Sequence, residues 1–288
     1  MASKGKDAFL LLPPGVRRQV LHGLGRYAPW EPQFDFTPPP LLPGEHIGPP
    51  DFVGIGVQKC GTTWWHDLIA THPDVSSRPG IHKERHFFDR FGSRPFDDRD
   101  VRGYHGWFPR GEWTVTGEWT PDYFSFPWAP ELLQRAAPDT RLLLLLRDPV
   151  ERFRSGLAHQ ERMGGRIDVT TVNDAVQRGF YARCLDAWLH HVDEDRLLVL
   201  QYERCATDPV AQLRATFAFL GLDDTAPLPT GAVPETARPS NGAPGDDVTR
   251  RLVGLYEDDV SQLASRVPAI DLSLWPNFSH LAGGSPGL

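Results

Sequence analysis

The run Gly56-Val57-Gln58-Lys59-Cys60-Gly61-Thr62-Thr63 combines two glycines, one lysine and paired threonines. Placed between a strand and a helix, such a turn offers free backbone N–H groups, a helix dipole and a cation to a phosphate-like anion. The lysine lies inside the turn, and Thr62-Thr63 stand where an ATPase loop carries Lys-Ser/Thr. No metal-binding acid ends the next strong strand, since Leu142 to Leu146 runs into Arg147 and Asp148 is followed by Pro149. The chemistry indicated is anion binding without obligatory Mg²⁺. A second cluster begins at Arg147, with Ser155 two helical turns on. Both can point one way and grip another phosphate, the arginine as a fork and the serine as a neutral donor. The same residues also suit a solvated, charge-alternating helix face.

His82-Lys83-Glu84-Arg85-His86 is a third titratable cluster. It is not H-E-x-x-H, because the glutamate occupies the third position, and the P-C-x-x-C partner of an H-x-E deaminase is absent, so no metal is expected. Ser155 and His159 are an i, i+4 pair without the G-x-S-x-G context of a hydrolase. His190-His191 read as the exposed end of a helix.

The elements that must hold these residues follow from periodicity. Phe52 to Val57 reads as a buried strand, and a helix follows to about Thr71, closed by Pro73. Strands are expected at Thr114 to Glu118, Arg141 to Leu146 and Arg196 to Gln201. Helices are expected at Trp128 to Ala137, Pro149 to Met163, Tyr181 to His191, Pro209 to Leu220 and Asp247 to Arg266. Residues 224–246 read as a Pro/Gly-rich loop. Uniformly apolar strands alternating with helices mean a parallel sheet covered on both faces. Residues 1–50, punctuated by prolines, read as an extended Pro-rich arm, and 51–288 as one domain.

Composition narrows the function classes. The chain has 288 residues, 40% hydrophobic and 23% charged, which fits a globular domain. Its longest apolar run, Leu142 to Leu146, is far below the roughly 20 residues of a membrane span. Three widely spaced cysteines make neither a disulfide framework nor a zinc site, and a cytoplasmic location is expected. A net charge of −7 argues against nucleic acid or another polyanion as partner. Of 30 basic residues only four are lysine (Lys4, Lys6, Lys59 and Lys83), so the two in the body of the chain stand out.

Taken together, VQKCGTTWW and LLLLLRDPVERFRSGLAHQ resemble the 5′-phosphosulfate loop and the 3′-phosphate motif of PAPS-dependent sulfotransferases. PAPS is 3′-phosphoadenosine-5′-phosphosulfate. The likeness is greatest to the branch with heparan sulfate N- and O-sulfotransferases, shared by many bacterial enzymes. THPDV, KERHFFD, GEWTPDYF, GFYARCLDAW and the late RPSNG loop support it in order and spacing, over roughly residues 51–275. The resemblance implies an α/β fold with a P-loop-like central parallel sheet flanked by helices on both faces. It implies PAPS as cosubstrate and PAP as product, with no metal required. By it, Lys59, Gly61, Thr62 and Thr63, with Trp64 beside them, bind the 5′ end. Arg147 and Ser155 bind the 3′-phosphate, and Ser240, Asn241 and Gly242 match a loop that closes over the nucleotide. Glu84 falls on the family's catalytic carboxylate, followed by His86. The chain departs where the animal enzymes have Glu-Lys-Thr/Ser, carrying Glu118-Trp119-Thr120, and it lacks the late cysteine pair of the Golgi enzymes.

On this basis Glu84, its pKa raised by partial burial, is expected to act as base on an acceptor hydroxyl, or less readily an amine. Lys59 is expected to stabilise the leaving phosphate. His86 could orient Glu84, bind the acceptor or act as base; Lys83 contacts the sulfuryl group or is simply solvated. Six of the nine tryptophans lie between Trp64 and Trp128, as core packing or as walls of an acceptor pocket, with Trp119 in place of a lysine. A small molecule, sugar or glycolipid acceptor follows. A P-loop kinase and a non-catalytic PAP-binding module are the alternatives; the misplaced lysine speaks against the first, and the presence of Lys59 and Glu84 against the second.

Overall fold

The structure is a computed structural model, described here for residues 13–24, 37–76, 78, 81–228 and 245–282. Its centre is a four-stranded, all-parallel sheet in the order β4-β2-β5-β6: β2 Phe52–Gly56, β4 Gly117–Trp119, β5 Arg141–Leu146 and β6 Leu197–Gln201. All five residues of β2 and the last five of β5 are buried. Alternate side chains point to opposite faces, so unbroken burial means that both faces are covered. A two-residue strand, β1 His46–Ile47, pairs antiparallel with β3 Pro109–Arg110, and Arg110 donates to the Pro49 carbonyl at 2.8 Å.

The helices, in chain order, are α1 Pro14–Gly23, α2 Thr62–Ile69, α3 Asp98–His105, α4 Ala129–Ala136, α5 Pro149–Arg162, α6 Val169–Gln177, α7 Tyr181–Leu189, α8 Tyr202–Thr207, α9 Pro209–Leu220 and α10 Asp246–Arg266. Expected and observed elements agree to within a few residues over the sheet. Two differences stand out. The arm expected to be extended contains α1, since proline is tolerated in a first turn and nothing after Pro14 breaks the helix. α3 had no periodic apolar signal; it is set by a capping box, in which the Asp97 carboxylate accepts from Arg99 N and Asp100 N and the Asp100 carboxylate takes Asp97 N.

Parallel pairing decides where function can sit. Gly54 pairs with Trp119, Gly56 with Leu144, and Leu146 with Gln201, so the chain leaves β2, β4, β5 and β6 at one edge of the sheet. That carboxyl edge is where open α/β sheets bind ligands. Gly54 is required by the packing there: a Cβ on it would lie 2.0 Å from the indole of Trp119.

Candidate active site

The turn from β2 into α2 leaves its donors open. Gly61, at φ 90°, precedes Thr62, and no side chain caps the helix. The first-turn N–H groups of α2 have no intrahelical acceptor and point out of its N-terminus. Lys59 adopts φ 71°, a region non-glycine residues rarely occupy and one that clusters at functional sites. Burial pushes its ammonium down to about 8, with Glu84 and Asp122 opposing that shift and Arg162 and Lys83 adding to it.

A cavity of about 500 Å³ joins this turn to the end of β5. Lys59, Gly61, Thr62, Thr63, Arg147, Ser155 and Glu84 all line it, so the two clusters and the carboxylate meet in one space. The interior ties the clusters together: Cys60 Sγ lies 3.9 Å from the Tyr181 hydroxyl, which donates to the Arg147 carbonyl at 2.9 Å. Burial raises the Cys60 thiol to about 12, so this cysteine packs and does not react. Gln58, Pro121, His159 and Tyr202 complete the wall; none was assigned a binding role from sequence, His159 having been weighed only as a hydrolase partner of Ser155. Tyr202 lies under the Arg147 guanidinium, 4.8 Å from its ring centre, and Trp64 meets that ring edge-on at 6.2 Å. Trp64 itself is not among the lining residues.

Glu84 is one member of a chain of charges. Lys83 Nζ donates to its Oε1 at 2.5 Å, and His86 Nε2 to its Oε2 at 3.2 Å. The other His86 nitrogen donates to Asp89 Oδ2 at 2.8 Å. Burial alone would raise the Glu84 carboxyl, but the His86 hydrogen bond and the Lys83 ammonium outweigh it and hold it at about 2. Burial would likewise lower His86; its bonds to Asp89 and Glu84 outweigh that and raise it to about 10. The expectation of a raised glutamate is therefore corrected: the Glu84 carboxyl is lowered and the His86 imidazole raised by the contacts they share. Lys83 is not solvated, with only 11% of its side chain exposed, and it also reaches the Trp119 carbonyl at 3.3 Å. Asp89, inside the HFFD run, completes the chain; its i, i+3 spacing from His86 was the signal to read.

Residues 81–88 form no helix or strand. The stretch 118–123 holds them by side chains. The Glu118 carboxylate accepts from Arg85 N at 3.1 Å, Tyr104 Oη at 2.6 Å and Thr120 Oγ1 at 2.6 Å. Thr120 Oγ1 accepts from Arg85 N at 2.9 Å and His86 N at 3.3 Å, and Tyr123 Oη accepts from Phe87 N at 2.9 Å. These bonds pin His86 at φ 49°. Glu118 is fully buried and its carboxyl is raised by burial, against the pull of the Thr120 and Tyr104 hydroxyls and of Arg85. Beyond Thr120, Asp122 is ion-paired with Arg178, which also reaches Asp174 at 2.8 Å.

One assignment fails. Trp119 does not wall an acceptor pocket: it is fully buried, its indole N–H donating to the Gly56 carbonyl at 3.1 Å, because the missing Cβ of Gly54 opens a slot for it in the core. Ser240, Asn241 and Gly242 lie outside the described residues.

A family model described as "Sulfotransferase domain" matches residues 49–230, well over half of the chain. The chain belongs to the sulfotransferase family. Within it, heparan sulfate glucosamine 3-O-sulfotransferase 3A1 of Mus musculus is 33% identical over 190 residues, covering 60% of this chain and 46% of that protein. The mouse 3-O-sulfotransferase 6 is also 33% identical, over 191 residues, covering 60% of this chain and 52% of that one. The chain thus spans about half the length of the curated relatives it matches. Among solved structures, a sulfotransferase from Alicyclobacillus acidocaldarius superposes with a TM-score of 0.63 at 23% identity, over 80% of this chain and 99% of that one. That likeness is one of fold.

Proposed function

We propose that this protein transfers the sulfuryl group of PAPS to a hydroxyl, less readily an amine, of a sugar, glycolipid or other small molecule. The observation that carries the proposal is the single cavity shared by Lys59, the α2 N-terminus, Arg147, Ser155 and Glu84. Its volume, about 500 Å³, lies within the range of small-molecule and cofactor sites. Two cation-bearing ends of one cavity suit a nucleotide with phosphates at two places. The 5′ end is assigned to Lys59 and the amides around Thr62 and Thr63, the 3′-phosphate to Arg147 and Ser155. Ser240, Asn241 and Gly242 are assigned to the nucleotide only through the family pattern.

In the reaction the acceptor oxygen forms a bond to sulfur while the bond from sulfur to the 5′-phosphate oxygen breaks. The electron pair leaves with the phosphate, where Lys59 and the α2 amides oppose the growing charge. The hydroxyl proton passes to Glu84. A carboxylate held at about 2 is a weak base. In a loose transfer, however, the hydroxyl becomes acidic as the new bond forms, so a positioned and fully ionised acceptor of the proton suffices. His86, held by Asp89, fixes the direction of the carboxylate.

For the acceptor, the relatives, named as glucosamine 3-O-sulfotransferases, point to sugar hydroxyls. A heparan-like polyanion is disfavoured by the net charge of −7. Among the described residues no helix is long and apolar enough to cross a membrane. A cytoplasmic location is our proposal, supported by three unpaired cysteines. Transfer of labelled sulfate from PAPS across a panel of neutral sugars, glycolipids and phenols tests the function, alongside calorimetry with PAP and with ATP–Mg²⁺. Binding of PAP with turnover of a panel member is expected; binding of ATP–Mg²⁺ but not PAP would overturn the proposal.

A further inference from the structure

A second cavity, of about 50 Å³, shares Lys83 with the charge chain at Glu84. His66, Ser76, Arg78, Arg85 and Thr116 are among its other walls. Two of its cations are matched within the fold, Arg78 by Glu45 and Lys83 by Glu84. Arg85 is not. Arg85 is 9% exposed, and its guanidinium, among the described residues, has no carboxylate within 4.0 Å. Its Nη1 donates to the His82 carbonyl, and its buried Nε has no partner. Trp107 and Phe108 present their faces at 5.4 and 5.9 Å, which holds the group in place without neutralising it. Glu118 acts only at longer range, its oxygens being taken by Tyr104, Thr120 and the Arg85 backbone. Arginine does not give up its proton in a protein, so a buried guanidinium with an idle N–H requires an anion or ordered water.

We propose that this cavity binds a small monovalent anion, a halide or the head of a carboxylate, between Arg85 and Lys83, with the Ser76 and Thr116 hydroxyls as neutral donors. The space is far smaller than the nucleotide cavity, which sets the ligand class. An anion there shares the Lys83 ammonium with Glu84 and loosens that pair, so occupancy makes the carboxylate a better proton acceptor. The anion comes either from solution or as an acid group on the acceptor; only the second source rests on the function proposed above.

The test starts from the protein without nucleotide or acceptor. Its Tm is followed while sodium formate or chloride replaces sodium gluconate at constant ionic strength. A saturable rise with the small anions is expected, abolished by Arg85→Met and retained by Arg250→Met, a change at an exposed arginine elsewhere. Should Arg85→Met not fold, Thr116→Val, which removes only a lining hydroxyl, is expected to raise the midpoint of the titration severalfold. If free anions give no saturable rise, the acceptor source requires that a carboxylate-bearing acceptor lose about tenfold or more in kcat/KM in Arg85→Met while its neutral ester does not. Absence of both effects, a cavity holding water only, overturns the proposal. The titration uses no PAPS, so it fails or succeeds independently of sulfuryl transfer.

Discussion

The turn after β2 and the segment around Glu84 face one cavity but treat charge in opposite ways. At the turn, Lys59 and Arg147 have no carboxylate within ion-pair distance among the described residues, and α2 begins without a side-chain cap. Around Glu84, Lys83, His86 and Asp89 form an unbroken sequence of opposite charges, with its backbone tied to Glu118, Thr120 and Tyr123. The first region is electrostatically incomplete without an anionic ligand; in the second the chain from Lys83 through Glu84 and His86 to Asp89 is matched within itself, and Arg85 beside it is the unmatched charge. Affinity for a nucleotide should therefore reside in the turn and in Arg147. The rate of proton removal should reside in a segment whose geometry is set beforehand.

Substitutions can break that division. Glu84→Gln keeps the shape and removes the proton acceptor; kcat is expected to fall by about 10²–10⁴-fold while PAP affinity by calorimetry stays unchanged. A parallel loss of PAP affinity would mean that the two regions are not separable. Arg147→Ala is expected to do the reverse, weakening PAP binding by about 10–100-fold, the worth of a charged hydrogen bond, with kcat at saturating PAPS largely kept. Thr120→Val removes the oxygen that receives Arg85 N and His86 N without touching the cavity. A fall in kcat of about tenfold with unchanged KM for PAPS is expected, and Thr120→Ser should restore it. A change in KM instead would place Thr120 in nucleotide binding.

The smallest effect concerns pH. In the free protein Lys59 loses its proton near pH 8, so kcat/KM for PAPS should be halved there and decline above it. Bound phosphates favour the charged lysine, so the corresponding limb in kcat should lie at higher pH. Lys59→Arg, charged throughout, should remove the limb from kcat/KM at any residual activity.

The architecture around Lys59 and Arg147 could be read from sequence because it is local. Strand, glycine turn and helix are contiguous from Phe52 to Ile69, and Arg147 and Ser155 are joined by a single helix start. Glu84 and His86 were likewise found in one short run. The errors came from partners distant in the chain. Trp119 enters the core because Gly54, on the neighbouring strand, lacks a Cβ, and no local pattern announces that pairing. Lys83 was left open as a solvated residue, yet part of its burial comes from the Trp119 carbonyl, 36 positions away. The sign of the Glu84 shift was missed for a different reason: burial was weighed, but the two cations flanking it in sequence were not. Glu118 and Thr120 were visible only as the matching flanks of a family pattern whose departure was Trp119, and their grip on residues 85–86 emerges from the parallel sheet bringing that edge around.

Tyr181 gives the cavity a fixed calibre. Its hydroxyl links the loop that carries Lys59 to the carbonyl of Arg147, and β2 and β5, which launch the two clusters, are hydrogen-bonded neighbours. The distance between the backbones of the two clusters is therefore a property of the interior and not of mobile surface side chains. On the function proposed above, ligand choice becomes a matter of span: a nucleotide with one phosphate missing or differently spaced should satisfy one end and not both.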